Sequence, residues 1–451
     1  MNSTNDATAV TERIQQQRER TMRSPRWGRK LGRYRPSGRI VGTILAGTML
    51  LLTACNQLLD VPPNPKTVPG TELTDPNSLD ARMTGAEADF WFAYDMAIVY
   101  GGLFTDELVD GTGLTAVDQR RVQPDNGLIG STDEAPEGID GLWTPMQRSA
   151  ATSKSAEVDI GAGSYADRIP DPGNSDAEAR MALFAGYSRL ILGELFCTTA
   201  FDGTGPEYSS AETYQLAADH FTVAIQASNA SSDVVYAATV GRARAELQMG
   251  DDAKAKADAS NVPLDFALIG DVYSTNSEKE NNDIWNMLTL SQRFSVGPPF
   301  RGLVIDNTST PDPRVDVFQD PNDQYAIDGS TPLYQSAKYL KADSPIRLAS
   351  GYEAAYIVAE IDGGQTAVNL INQIRQAQGI SQQFSSTNED SIQAKVRDER
   401  RRTLFLEGQR MGDLRRYKAR YGLDLFPTGP NFGTETCFPL PNAERDNNPG
   451  I

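Results

Sequence analysis

The side chains able to do chemistry in this chain are mostly carboxylates: 60 Asp and Glu stand against 42 Lys and Arg in 451 residues, with one histidine and three cysteines. Glycoside cleavage needs two carboxyl groups at a set separation, and Asp106-Glu107, just after an aromatic-rich stretch, is the most suggestive pair. With so many acids, pairs arise by chance, and solvated loop acids are the competing reading. His220 stands between Asp219 and Phe221 inside a helical pattern, where a surface or hydrogen-bonded histidine competes with a general base. A single imidazole excludes H-E-x-x-H zinc sites, and three cysteines cannot form a Cys₄ site. There is no Walker A loop or dinucleotide fingerprint. Asp306, Asp312, Asp316, Asp320, Asp323 and Asp328 crowd one loop region, which either holds Ca²⁺ or is simply solvated; the spacing is not that of an EF-hand. No other cofactor is expected. A net charge of -18 repels phosphates and argues against nucleic acid as a partner.

Residues 1–54 read as an address. Ten basic residues (Arg13, Arg18, Arg20, Arg23, Arg26, Arg29, Lys30, Arg33, Arg35, Arg39) face only Asp6, Glu12 and Glu19, and an apolar stretch over 40–54 follows. That stretch is too short to span a hydrocarbon layer of about 30 Å, so a signal peptide is expected. It ends Leu52-Thr53-Ala54-Cys55, the pattern of a bacterial lipobox, with an ordinary signal peptide as the alternative. Cleavage leaves Cys55 first, and acyl chains such as palmitate anchor at about 0.8 kcal/mol per buried CH₂. Met22 serves equally well as the start. Without the leader's ten basic and three acidic residues, the remaining 397 residues carry 32 basic and 57 acidic side chains, a net of -25. Cys197 and Cys437 are then an even pair in an oxidising compartment, either a disulfide or two separate buried thiols.

These groups need a scaffold, and its pattern is helical. Residues 55–76 hold Pro62, Pro63, Pro65, Pro69 and Pro76 and read as an extended tether. Over 77–270 apolar residues recur at three to four positions, as in Phe90, Trp91, Tyr94 and Ile98, or Tyr214, Ala217, Phe221 and Ile225, the latter opening on a capping box of Ser209 and Glu212. Gly250-Asp251-Asp252 and Asp362-Gly363-Gly364 each join two helices, with small alanines at close-approach positions. This predicts an all-α, tetratricopeptide-like scaffold, although no unit carries the full 34-residue repeat pattern and an irregular bundle is the alternative. Residues 271–346 are broken by seven prolines and interspersed with aromatics, a loop-rich part of the kind that carries binding sites.

Residues 347–451 hold the most specific pattern. Glu399-Arg400, Leu404, Glu407-Gly408, Arg410, Asp413-Leu414 and Arg416 resemble the E-R…L…E-G-x-R…D-L-x-R helix of the SusD/RagB family of nutrient-binding outer-membrane lipoproteins. Pro439-Leu440-Pro441-Asn442-Ala443-Glu444 with Asn448-Pro449 is similar to that family's terminus, and Tyr356 to Glu360 with Ala367 to Arg375 to its preceding helix pair. Thr403, where the family often has Glu, and Ser350, at the end of its R-L-A-E start, depart from the pattern. Read as one helix, this stretch sets Glu399, Thr403, Glu407, Arg410 and Leu414 on one face and pairs Glu407 with Arg410.

The resemblance implies a non-enzymatic surface lipoprotein of the bacterial outer membrane. Such a protein captures a glycan, or less often a peptide, and passes it to a SusC-like TonB-dependent transporter. Sugar rings stack on aromatics through their C–H faces, and the aromatics expected to contact ligand are Trp285, Phe294, Phe300 and Tyr325, with Trp143 and Tyr100 behind them; core packing is the competing role for each. The rival functions are a helical-repeat adaptor binding envelope proteins and a surface glycosidase.

Overall fold

Six helices follow one another from residue 79: α1 (Leu79–Phe104), α2 (Trp143–Gly161), α3 (Asp176–Leu195), α4 (Ser210–Gln226), α5 (Ser232–Met249) and α6 (Asp252–Ala259), each packed against its neighbours in the chain. In this computed structural model the described residues are 78–113, 116–126, 141–270, 272–276 and 280–451. The leader, Cys55 and the whole tether lie outside them; the described residues belong to one compact unit. No helix among the described residues is long and apolar enough to cross a membrane.

Local chemistry sets the helix ends. Ser175 caps α3 by accepting the Glu178 N–H, and α4 opens on the Ser209–Glu212 capping box with both reciprocal bonds made. Gly250, with φ 83°, closes α5 in the left-handed region that glycine reaches without strain. Packing then relies on missing side chains. Phe221 of α4 is fully buried between Gly186 of α3 and Gly241 of α5, where an added Cβ would lie 2.6 and 2.4 Å from the ring. Helix α2 is not evident in the sequence, because its polar run from Gln147 to Lys154 masks the inward Met146, Ala150, Ala156 and Ile160.

Short antiparallel ladders tie the loop-rich stretch to the first helical part and the ends of the two helical parts to each other. β1 (Leu108–Asp110) pairs with β5 (Phe294–Val296), and β4 (Ala267–Gly270) with β8 (Ile346–Ser350). Two smaller ladders join β2 (Thr198–Thr199) to β3 (Tyr208–Ser209) and β6 (Val317–Phe318) to β7 (Gln335–Ser336). A one-turn helix, α7 (Asp283–Trp285), precedes β5.

Four helices follow β8: α8 (Gly351–Asp362), α9 (Gly364–Ala377), α10 (Glu389–Thr403) and α11 (Arg410–Tyr421), before the short α12 (Asn442–Asn447). Tyr356, Ile371, Ile374, Ile392 and Val396 form a separate apolar cluster among the first three. The single helix expected across 399–414 is two. Leu406 at φ 53° and Gly408 at φ 73° break it, so Glu407 and Arg410 do not share a face and do not pair. Cys197 is bonded to Cys437, with Cα atoms 5.1 Å apart, and backbone bonds of 2.8 Å from Cys197 N–H to Phe438 O and from Phe438 N–H to Leu195 O flank the bridge.

Candidate ligand-binding site

The break between α10 and α11 positions a polar cleft in the C-terminal half of the chain. Its six residues are clamped from distant parts of the chain: Tyr94 donates to Glu407 O at 2.8 Å, Tyr339 to Leu406 O at 2.9 Å, and Leu406 N–H to the buried Glu107 carboxyl at 2.9 Å. Held there, the Glu407 carboxylate accepts from Arg347 Nε at 3.0 and 3.1 Å and from Arg347 Nη2 and Lys338 Nζ. Lys338 also donates to Phe405 O at 2.7 Å. Burial alone would raise the Glu407 pKa, but Lys338 and Arg347 overcome it and hold the carboxyl below its ordinary value.

Above these groups lies a cleft of about 410 Å³. Arg347, on β8, and Lys338, just after β7, form one side, and Arg314 and Asp316 come from the loop before β6. Tyr352 from the first turn of α8 contributes a half-buried ring, with the Arg347 guanidinium carbon 5.7 Å from its centroid. Gln378 at the end of α9 and Thr403 at the end of α10 complete the lining. Behind them Glu399 is fully buried and accepts from Arg375 at 2.6 and 3.0 Å and Arg314 at 2.7 Å, with Lys395 at 2.9 Å. Burial opposes its ionisation, yet hydrogen bonds and charges from Arg375, Arg314 and Lys395 bring its pKa far below the usual range. Two cations on one carboxylate at Glu407 leave a positive excess, and Asp316 is the acidic side chain among the lining residues. The cleft therefore presents cationic donors, a carboxylate, an amide, a hydroxyl and one aromatic face.

The expected ligand aromatics do not gather here. Trp285, Phe294, Phe300, Trp143 and Tyr100 are all buried. Phe300 stacks on Phe405 at 4.8 Å, and Trp143 meets Phe196 edge-on at 4.7 Å. They are core side chains and offer a ligand no ring face; in the proline-rich stretch the β1–β5 ladder carries Phe294, which is buried. Tyr325 alone of the six is exposed, at 53%. Tyr352 stands in none of the sequence motifs, and it is the fold that brings its ring to the cleft.

Nor are the acids free. Asp106 takes both Arg410 donors at 2.7 Å, so that Arg410, whose expected partner was Glu407, is satisfied from α1's end. Glu107 beside it is pushed up to about 8 by burial. Neither is a solvated loop acid. His220 Nδ1 lies 2.5 Å from Glu157. Asp306 is engaged by Arg375 and Lys395, Asp312 by Arg314 and Arg402, and Asp328 by the N–H groups and hydroxyls of Ser330 and Thr331. Among the described residues no three acidic, histidine or cysteine side chains gather as metal ligands.

Residues 346–451 match the model of the SusD family. No curated protein sequence matches the chain. Among solved structures it is similar to surface glycan-binding protein A from Bacteroides uniformis, with TM-score 0.62 and 15% identity over 83% of this chain and 98% of that one. A SusD superfamily protein from Bacteroides vulgatus ATCC 8482 gives 0.60 and 13%, covering 83% and 97%. A laminarin-binding SusD-like protein gives 0.57 and 14%, covering 82% and 99%.

Proposed function

We propose, from the match of residues 346–451 to the SusD family model, that the chain is a SusD/RagB-type protein that captures glycan in the cleft between β8, α8 and α10, without altering it, and hands it to a TonB-dependent transporter from a lipid anchor at Cys55 on the outer-membrane surface. Carbohydrate binding is the family's general trade; the transporter, the anchor and the site in this chain are our reading. The observation that carries the site is Tyr352, a ring at the cleft beside Arg347, with Asp316 and Gln378 also lining it. An aromatic face accepts the C–H side of a sugar while donors and acceptors around it meet the hydroxyls.

Capture without cleavage is in keeping with the cations that occupy the two carboxylates behind the cleft. Hydrolysis needs a carboxyl group that can donate a proton, whereas Glu407 and Glu399 are held ionised by their cations. Exposed Tyr325, on the loop that also carries Gln319, Asn322 and Gln324, serves as a second platform along an extended ligand.

Isothermal titration with soluble polysaccharides, laminarin among them, tests the site. Tyr352→Ala should weaken binding of whichever glycan the wild-type protein takes at least tenfold, with its thermal midpoint little changed. Undiminished binding by that variant would place the ligand elsewhere. Co-purification of a β-barrel receptor tests the transporter.

A further inference from the structure

A second cavity, of about 370 Å³, lies among α4, α5 and α6, away from the cleft. Its charges cancel except at one point. Arg242 donates from Nε and Nη2 to the two oxygens of Asp258 at 2.6 and 2.9 Å and from Nη1 to Thr222 at 3.1 Å. Lys254 is paired with Asp251 at 2.7 Å. Glu246, one turn beyond Arg242 on α5, lines the same cavity and is only 6% exposed, and its Oε2 is buried with no hydrogen-bond partner among the described residues. Met249, Ala218 and Ala257 supply small apolar walls.

A buried carboxylate without a partner is costly and persists where something else meets it or where it is protonated. Burial, reinforced by Asp258 and Asp251 and opposed by Arg242 and Lys254, brings Glu246 to about 7, so both states are within reach near neutrality. We propose that this cavity is a binding site for a compact organic cation, a primary ammonium on a molecule of about monosaccharide size, with Glu246 as its counter-ion. The missing element is a single positive charge, since Arg242 and Lys254 are already committed. A metal ion fits poorly: Ca²⁺ needs several oxygen ligands, and no three acidic side chains converge here. An ammonium needs one carboxylate and tolerates apolar walls around its carbon frame.

The test uses the whole protein at pH 7.5 with two matched pairs of probes, n-propylamine against n-propanol and D-glucosamine against D-glucose. The side-chain carboxyl carbon of isotopically labelled Glu246 is followed by NMR. Both amines should shift its resonance and lower its titration midpoint by a pH unit or more at saturation, while the alcohol and glucose leave it in place. Glu246→Gln should fold, since it removes an unpaired charge, and should weaken amine binding at least tenfold. Equal responses to amine and alcohol, or a Gln variant that still binds amine as well as wild type, would overturn the proposal. Tyr352→Ala should not alter the response, which separates failure here from failure of the glycan cleft.

Discussion

Phe221 and Glu399 sit at the same depth, each with no exposed surface, and are kept there by different forces. Phe221 belongs to a stack in which rings of one helix fill hollows left by glycine in the next. Glu399 belongs to a C-terminal region whose interior is charged, where Arg314, Arg375 and Lys395 surround one carboxylate and Arg400, Asp413, Arg416 and Glu360 form a further chain. In the first region neighbours in sequence supply the contacts. In the second the partners come from elements up to 85 residues away, as Arg314 does for Glu399. The difference teaches that the scaffold is built by shape and the C-terminal cleft by charge, with its cations aligned by buried acids.

The sharpest way to break this contrast is a pair of substitutions. Glu399→Gln strands Arg375 and Arg314 and should cost about 3–5 kcal/mol, and Phe221→Ala about as much through the cavity it leaves. Their pH signatures should differ. The folded Glu399 pKa lies below its unfolded value near 4.5, so its contribution is complete above that value and lost as pH falls toward the folded one. Urea unfolding at pH 7 and pH 4 should show the Glu399→Gln penalty shrinking in acid and the Phe221→Ala penalty holding constant; identical pH responses would erase the distinction.

Next in size is the link between the two regions. Reducing Cys197–Cys437, or replacing both by serine, should lower stability by about 2–4 kcal/mol, read from thermal scans with and without reductant. Glu107 gives an effect of opposite sign, smaller than that of the bridge over any single pH unit. Its folded carboxyl titrates at about 8 against 4.5 unfolded, so the folded state binds more protons in that window and loses stability as pH rises through it. Glu107→Gln, which keeps an acceptor for Leu406 N–H, should therefore gain on wild type by up to about 1.4 kcal/mol per pH unit between pH 5 and 8. Smallest is Ser209→Ala, which removes a cap on α4 and should cost about 1 kcal/mol near neutral pH.

What could be read from the residues follows the same divide. The capping box at Ser209, the turn at Gly250 and the helix pair around Gly363 are local, and each stands where its residues indicate. The break at 404–409 is not local: Leu406 adopts its positive φ amid contacts from Tyr94, Tyr339 and Glu107, none of them nearby in sequence. Gly408 was the one available hint. The cleft suffers likewise, since Arg314, Lys338, Arg347, Tyr352 and Thr403 converge from separate elements. Aromatic content in a proline-rich stretch suggested ligand contact, but side-chain direction there is set by ladders such as β1 with β5.

The bridge between Cys197 and Cys437 spans 240 positions. During synthesis Cys197 therefore has no partner until 240 further residues have been made. A product cut short anywhere between the two keeps that sulfur free to react. Oxidation at this pair thus separates chains that carry both ends of the bridge from those that carry only the first.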